Sequence, residues 1–452
     1  MIITAFIEQL KNILLSDRVL CELAEALAMK WLREEEVCMN SKTKNTVLRS
    51  VFSFGVILIL FFRLNFGQQE PQKNLKWMEL GDKVEASEID ASQYPVFTKW
   101  LDEFGKTPLD YALEKCREHQ VVIFGELHGA KDYLDFFLKF IPEAYYKAGM
   151  RYVILEVCKY EDNERIEKLI EGETYDRKLA LEIARSGPWA TWNSKEYWDI
   201  FEVVWKLNKS LPAGAEHMKV IGMNVSADLV LNWLYDNNKL EDQKLIEKAK
   251  VQELLLYEND ALMAAAVEAA VIRKKTKGMV WVGRNHSFTH YAQPAVNADG
   301  IFIHDWPRLG YLLHQRYQDR IFQISFHGSD SYDSPKGIYD KYNGEKPVLS
   351  GLIEKIMAGR GNKPVGFDIS PSPFANVKDR RSIQFYFQPN VRFSDITQGY
   401  IFINPWDKIS KCQKIENFIS DEMFKKYKLY YETTYKRKFK NVREVNEFLE
   451  KR

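Results

Sequence analysis

Five short apolar runs recur along the chain: VVIFGE (121–126), RYVILEV (151–157), MKVIGMNV (218–225), GMVWVG (278–283) and RIFQISFHG (320–328). They are rich in β-branched and aromatic residues, and this predicts strands buried on both faces. Between them, apolar residues return at helical spacing over 131–148, 161–185, 195–208 and 227–275, and a further helix is predicted around 96–117. Pro142 is expected to kink the 131–148 helix. Toward the C-terminus, FDIS (367–370) predicts a last strand, SIQFYFQP and GYIFINP within 382–404 form two aromatic runs, and 411–452 has the pattern of terminal helices. Strands alternating with long helices imply an α/β fold, with a mostly parallel central sheet flanked by helices on both faces. In such sheets, ligands bind beyond the carboxyl ends of the strands.

The N-terminal pattern differs. Residues 51–62, VFSFGVILILFF, form an uncharged run preceded by Lys42, Lys44 and Arg49 and followed by Gly67 and a polar stretch. That is a signal-peptide profile, and the run is short against the ~20 residues a membrane-spanning helix needs. The expected organisation is an upstream extension over 1–38 with the start at Met39, and a signal peptide over 39–67. The alternative for 51–66 is a signal anchor. A linker would span 68–94, the α/β domain 95–410, and a basic helical tail 411–452. The mature domain is expected outside the cytoplasm, periplasmic or extracellular.

A formal net charge of +1 supplies no global field for nucleic acid, and none is expected as a partner. Residues 425–443 hold eight Lys or Arg against Glu432. They are expected to form a solvated helix face, with contact to a membrane surface as the second reading. The five cysteines show neither metal-type spacing nor a disulfide framework, and Cys116 and Cys158 are expected to be buried.

Candidate chemistry sits at the strand ends. The first strand runs into Gly125-Glu126-Leu127-His128-Gly129, the second carries Glu156, and the fourth runs into Gly283-Arg284-Asn285-His286. Two residues apart on an extended chain, Glu126 and His128 project to the same side. A carboxylate beside an imidazole can fix its tautomer and make it a general base, or the two can bind a divalent cation. His286 and His290 would share a face if HSFTH were helical, and could add metal ligands. Arg284 is a candidate oxyanion partner, and Asp260, opening the DALMAAAVEAA segment, is a candidate to point into the site. No G-x-S-x-G elbow, P-loop, HExxH or haem-attachment CxxCH occurs.

VVIFGELHGAKDYLDFFLKFIPEAYYKAGMRYVILE, NDALMAAAVEAAV with GMVWVGRNHSF, and PRLGYLLHQRYQDRIFQISFHG occur in that order. Over about 120–330 this set resembles the superfamily of erythromycin esterase-like proteins, Tiki-type proteases and ChaN-type haem-binding proteins. The resemblance places the family's acidic turn residue on Glu126, its turn histidine on His128, its helix aspartate on Asp260 and its final histidine on His286. The chain departs from the esterase pattern in a Gly-Glu-x-His turn one residue shorter, in Gly283 where that pattern has histidine, and in Asn259 where it has arginine.

Three expectations follow. The first is a hydrolase of an ester or amide bond in a small-molecule or peptide substrate. In it Glu126 would orient His128 as base, with His286 or Arg284 on the oxyanion, or Glu126, His128 and His286 would bind a divalent metal that activates water. The second is a haem- or iron-binding protein with Tyr133 or His290 as axial ligand. The third is a non-catalytic interaction protein of the same fold.

Overall fold

Backbone groups in apolar runs that cannot face water must pair with one another. In the computed structural model of the protein they do so as seven strands. These are β1 (Val121–Glu126), β2 (Tyr152–Lys159), β3 (Lys219–Asn224), β4 (Gly278–Gly283), β5 (Ile321–Phe326), β6 (Val365–Asp368) and β7 (Gly399–Phe402). The structure describes residues 84–187, 192–224, 251–296, 302–330, 346–379, 382, 388, 390–435 and 437–450. All of them fall within the compact unit made of Gly81–Asp228 and Gln243–Arg452. The expected extension at 1–38, the signal segment at 39–67 and most of the SIQFYFQP run lie outside the described residues. Among the described residues, no helix is long and apolar enough to cross a membrane.

The strands lie in the order β6-β7-β5-β1-β4-β2-β3. Every pairing is parallel except that of β6 with β7. This is the expected α/β architecture, with β1 in the middle and the carboxyl ends of β5, β1, β4 and β2 on one edge. The register pairs Glu126 with Gly283 across β1 and β4, so the two motifs singled out from the sequence are direct neighbours.

Alternation along β1 divides the core. Val121 and Ile123 join Ile154, Val280 and Val282 under helices Val251–Val267 and Leu309–Tyr317, through Met263, Val267 and Leu313. On the opposite face, Phe124 meets Phe137 and Phe140 of helix Lys131–Ala148, and Trp281 packs on Phe137 at 4.3 Å between ring centroids. Fully burying one such aromatic side chain contributes about 2–3 kcal/mol.

Helix Lys131–Ala148 continues through Pro142, with Phe140, Ile141 and Ala144 around it fully buried. Other expectations needed correction. The 96–117 helix is two, Tyr94–Phe104 and Pro108–Glu118, the second capped by Thr107, whose hydroxyl accepts from the Asp110 amide. The 68–94 segment is not all linker. Val84–Glu85 pairs in parallel with Val377–Lys378, and Ala86 and Ile89 enter a buried cluster with Phe97, Phe374 and Val377.

The domain does not end at 410 either. Residues 410–415 cross the turn after β1 and the start of helix Lys195–Ser210. Lys131 donates to the Ser410 carbonyl, Cys412 to Gly129, Lys195 to Gln413 and Ile415 to Asn193, at 2.7–2.9 Å. Beyond this strap, helices Asp421–Thr434 and Val442–Glu450 bury Tyr431 and Val445, and Phe439 between them packs on Phe448 at 5.6 Å. Buried Glu432 accepts from the Phe439 amide, so the basic tail is folded around one carboxylate.

Candidate functional site

Glu126 is the last residue of β1 and is almost fully buried. Its Oε1 faces His128 Nδ1 at 2.6 Å and accepts from the Tyr197 hydroxyl at 2.8 Å. The Tyr197 oxygen in turn accepts from the Gly129 amide at 2.9 Å. Gly129, at φ 80°, occupies the left-handed region that lets the chain turn here. Trp192 sets its edge against the His128 ring, 4.6 Å between centroids, and packs on Tyr197 at 5.3 Å. Burial keeps the Tyr197 phenol protonated, and the Glu126 charge adds to that effect.

Glu156, from β2, approaches His128 from the other side. Its Oε2 accepts from the Gly283 amide at 2.7 Å. A Cβ on Gly283 would lie 2.7 Å from His128 Cε1, 2.8 Å from Nε2 and 3.4 Å from Glu156 Oε2. The imidazole and the second carboxylate therefore both crowd against Gly283, where a side chain has no room. This supplies a physical reason for the departure of Gly283 from the esterase pattern. Gly283 has φ −56° and ψ 139°, which alanine adopts readily. The Gly283→Ala variant is therefore expected to cost no backbone strain but about 1–3 kcal/mol of overpacking, while pushing His128 off Glu126. Thermal melts alongside activity assays check this, and an unimpaired variant would show that His128 need not stand there.

Desolvation opposes charge on the His128 ring. Glu126, by charge and hydrogen bond, and Glu156, by charge, outweigh it and lift the imidazole to about 9. The side chain keeps 39% of its surface in solvent, which weakens all three influences, so the direction rests on the short Glu126 contact.

His286 closes the inner side of the site. Its Nδ1 lies 2.7 Å from Asp260 Oδ1 and its Nε2 3.4 Å from Glu156 Oε1. Asp260 is fully buried and also accepts from the Leu309 amide at 2.9 Å. Arg308 Nε stands 2.7 Å from Asp260 Oδ2, but its N–H is not aligned on that oxygen, so the contact is Coulombic. The guanidinium lies over the Trp306 ring at 4.3 Å and donates to Gln293. Burial opposes the Asp260 charge, yet His286, Arg308 and the hydrogen bonds hold its carboxyl below the ordinary range.

The fold thus brings together Glu126, His128, Glu156, Asp260 and His286. It treats the remaining candidates differently. Arg284 donates to the Ser329 carbonyl at 2.7 Å. The HSFTH segment is not one helix. The turn Arg284–Ser287 stops at Phe288, whose φ −57° and ψ 130° are extended, and the His290 ring packs on His314 at 4.2 Å. Desolvation and then the His314 charge depress His290 to about 4. Tyr133 is fully buried and stacked on Phe326 at 4.7 Å, a position that does not fit an axial haem ligand.

The metal set does not fit either. His128 Nδ1 is taken by Glu126, His286 stands between Asp260 and Glu156, and no group of three metal-ligating side chains is arranged around a point among the described residues.

Sequence reasoning missed Tyr197, Trp192 and Arg308. They reach the site from 71, about 64 and 22 residues away from their partners, respectively, and nothing in their local spacing marks them. His327 is fully buried. The structure seals that ring between the Tyr400 hydroxyl and Glu354 Oε1, at 2.9 and 2.7 Å. Burial, only partly offset by Glu354, lowers its pKa.

No family model matches the chain, and no curated protein matches it in sequence. Solved structures resemble it at low identity. A succinoglycan biosynthesis protein shares 11% identity, with a TM-score of 0.47 over 70% of this chain and 98% of that one. A mutant of the erythromycin esterase EreC in its open conformation shares 12%, with a TM-score of 0.40 over 70% and 94%. The haem-binding ChaN of Campylobacter jejuni shares 14%, with a TM-score of 0.27 over 53% and 88%. The last two belong to the grouping that the sequence motifs resemble. At these identities the likeness concerns the fold alone.

Proposed function

We propose that the chain is a hydrolase that cleaves an ester or amide bond by acid–base chemistry, with His128 as acid and Glu156 as base. The observation that carries this reading is the close approach of a carboxylate-held imidazole and a second carboxylate beside Gly283. The sequence-based expectation gave His128 the role of base. Two carboxylates beside the ring favour its protonated form at neutral pH, and this suits it to donate rather than accept.

In this scheme Glu156 takes a proton from water and the resulting hydroxide adds to the carbonyl carbon. His128 Nε2–H gives its proton to the departing oxygen or nitrogen as the acyl bond breaks. Proton return from Glu156 to His128 through solvent restores the site, so acid and alcohol or amine are the only products. Glu126 holds the ring in orientation, and Asp260, with Arg308 behind it, fixes His286 beside Glu156.

The test is a screen of p-nitrophenyl esters and peptide amides, followed by a pH–rate profile on whatever is cleaved. An acid is active below its pKa, so kcat/KM is expected to fall as pH rises through about 9. A rate that climbs through that range would return His128 to the base's role and overturn the scheme.

A further inference from the structure

We infer that Tyr197 is a positioning residue for the proposed hydrolysis: its hydroxyl locks Glu126 and the Gly129 amide together, and so fixes the direction in which the His128 ring points. The inference rests on that functional reading, yet it is carried by contacts of its own.

The Tyr197 oxygen stands at a crossing. It donates to Glu126 Oε1, the same oxygen that faces His128 Nδ1, and it accepts from the amide of Gly129, the residue after His128. Phenol, carboxylate, imidazole and turn backbone therefore close a ring of contacts in which His128 is held from both its side chain and its following peptide. Among the described residues Glu126 Oε2 is buried and has no hydrogen-bond partner, so the polar contacts that orient the carboxylate fall on Oε1.

The phenol is itself held firmly. Tyr197 is 1% exposed and packs against Trp192, whose edge also meets the His128 ring. It lies in the first turn of helix Lys195–Ser210, and the strap pins that turn. Glu196 accepts the Gln413 amide with both carboxylate oxygens at 3.0 Å, and Ser194 pairs with Lys414. A group placed this rigidly can transmit orientation.

The test uses Tyr197→Phe, which removes one oxygen and keeps the ring. Two readouts are taken on the full chain. The first is the low-field proton resonance of the His128–Glu126 hydrogen bond, assigned by its loss in Glu126→Gln. The second is kcat and KM for p-nitrophenyl acetate. In Tyr197→Phe the low-field resonance is expected to vanish into exchange with water. In parallel kcat should fall by about ten- to a hundredfold, the usual consequence of a misaligned catalytic group, with KM kept within about twofold. A variant that melts at lower temperature but keeps both the resonance and kcat would assign Tyr197 to packing alone and overturn the inference. If the wild-type protein itself shows no such resonance, the Glu126–His128 pair fails first, and the proposed function falls with it.

Discussion

Replacing Asp260 by alanine is expected to destabilise the protein by about 3–5 kcal/mol, the usual cost of removing one partner from a buried charge pair. Asp260 sits fully buried on helix Val251–Val267, with His286, Arg308 and the Leu309 amide all turned toward its two oxygens. Without it, Arg308 remains 7% exposed and loses its carboxylate, keeping the Gln293 carbonyl oxygen, the Trp306 ring and the His286 ring nitrogens beside it. The sign with pH follows from the depressed carboxyl. A group whose folded pKa lies below its unfolded value stabilises above the unfolded value, ~3.9 for Asp, and that stabilisation is lost as pH falls through the folded pKa. Urea denaturation at pH 7 and near pH 3 checks both points: the gap between wild type and Asp260→Ala should be wide at pH 7 and narrower in acid. Equal gaps at both values would mean that the loss is one of packing.

The second large effect concerns chemistry rather than stability. His128→Ala is expected to lower kcat/KM by about 10²–10⁴, the range that one proton-transferring side chain supplies. A thermal melt belongs beside it, since removing the ring also uncovers the Trp192 edge and takes the imidazole from buried Glu126. Glu126→Gln separates holding from donating. The amide can still meet the ring, but without the charge that favours the imidazolium, so the alkaline fall in the pH profile should move below about 9. An unshifted profile in this variant would show that another group titrates. Activity equal to wild type in His128→Ala would take the proton transfer away from this residue altogether.

Much of the architecture was legible because single runs carry it. VVIFGE and GMVWVG became β1 and β4 with the expected bounds, since each is an unbroken apolar stretch closed by glycine or a charge. Glu126, His128, Glu156 and His286 could be singled out for the same reason, as polar residues at the ends of apolar runs, where the parallel sheet gathers them on one edge. What could not be read were contacts made by folding. Tyr197 lies 71 residues from Glu126, and Arg308 lies 48 residues from Asp260 across a packed helix pair. The boundaries at 94 and 410 went astray because Ala86, Ile89 and Cys412 are single apolar residues among polar ones, too sparse to reveal that each is buried. The HSFTH helix failed because spacing shows which residues could share a face but not where the backbone turns extended, as it does at Phe288.

The strap over the turn also bears on the order in which the protein can assemble. The Ser410 amide meets Asp132 from 278 positions further along the chain, and Gln413 reaches Glu196 from 217. A ribosome producing the polypeptide from its N-terminus releases β1, its turn and the Tyr197 helix long before the residues that clasp them. During synthesis those parts of the site can be present while their fastening is still unmade. Contacts so distant in sequence also close slowly, because loop entropy must be overcome before they form. The fastening of the site is, on this structure, a late event in the life of each molecule, complete only after its carboxyl-terminal stretch has come back to the turn after β1.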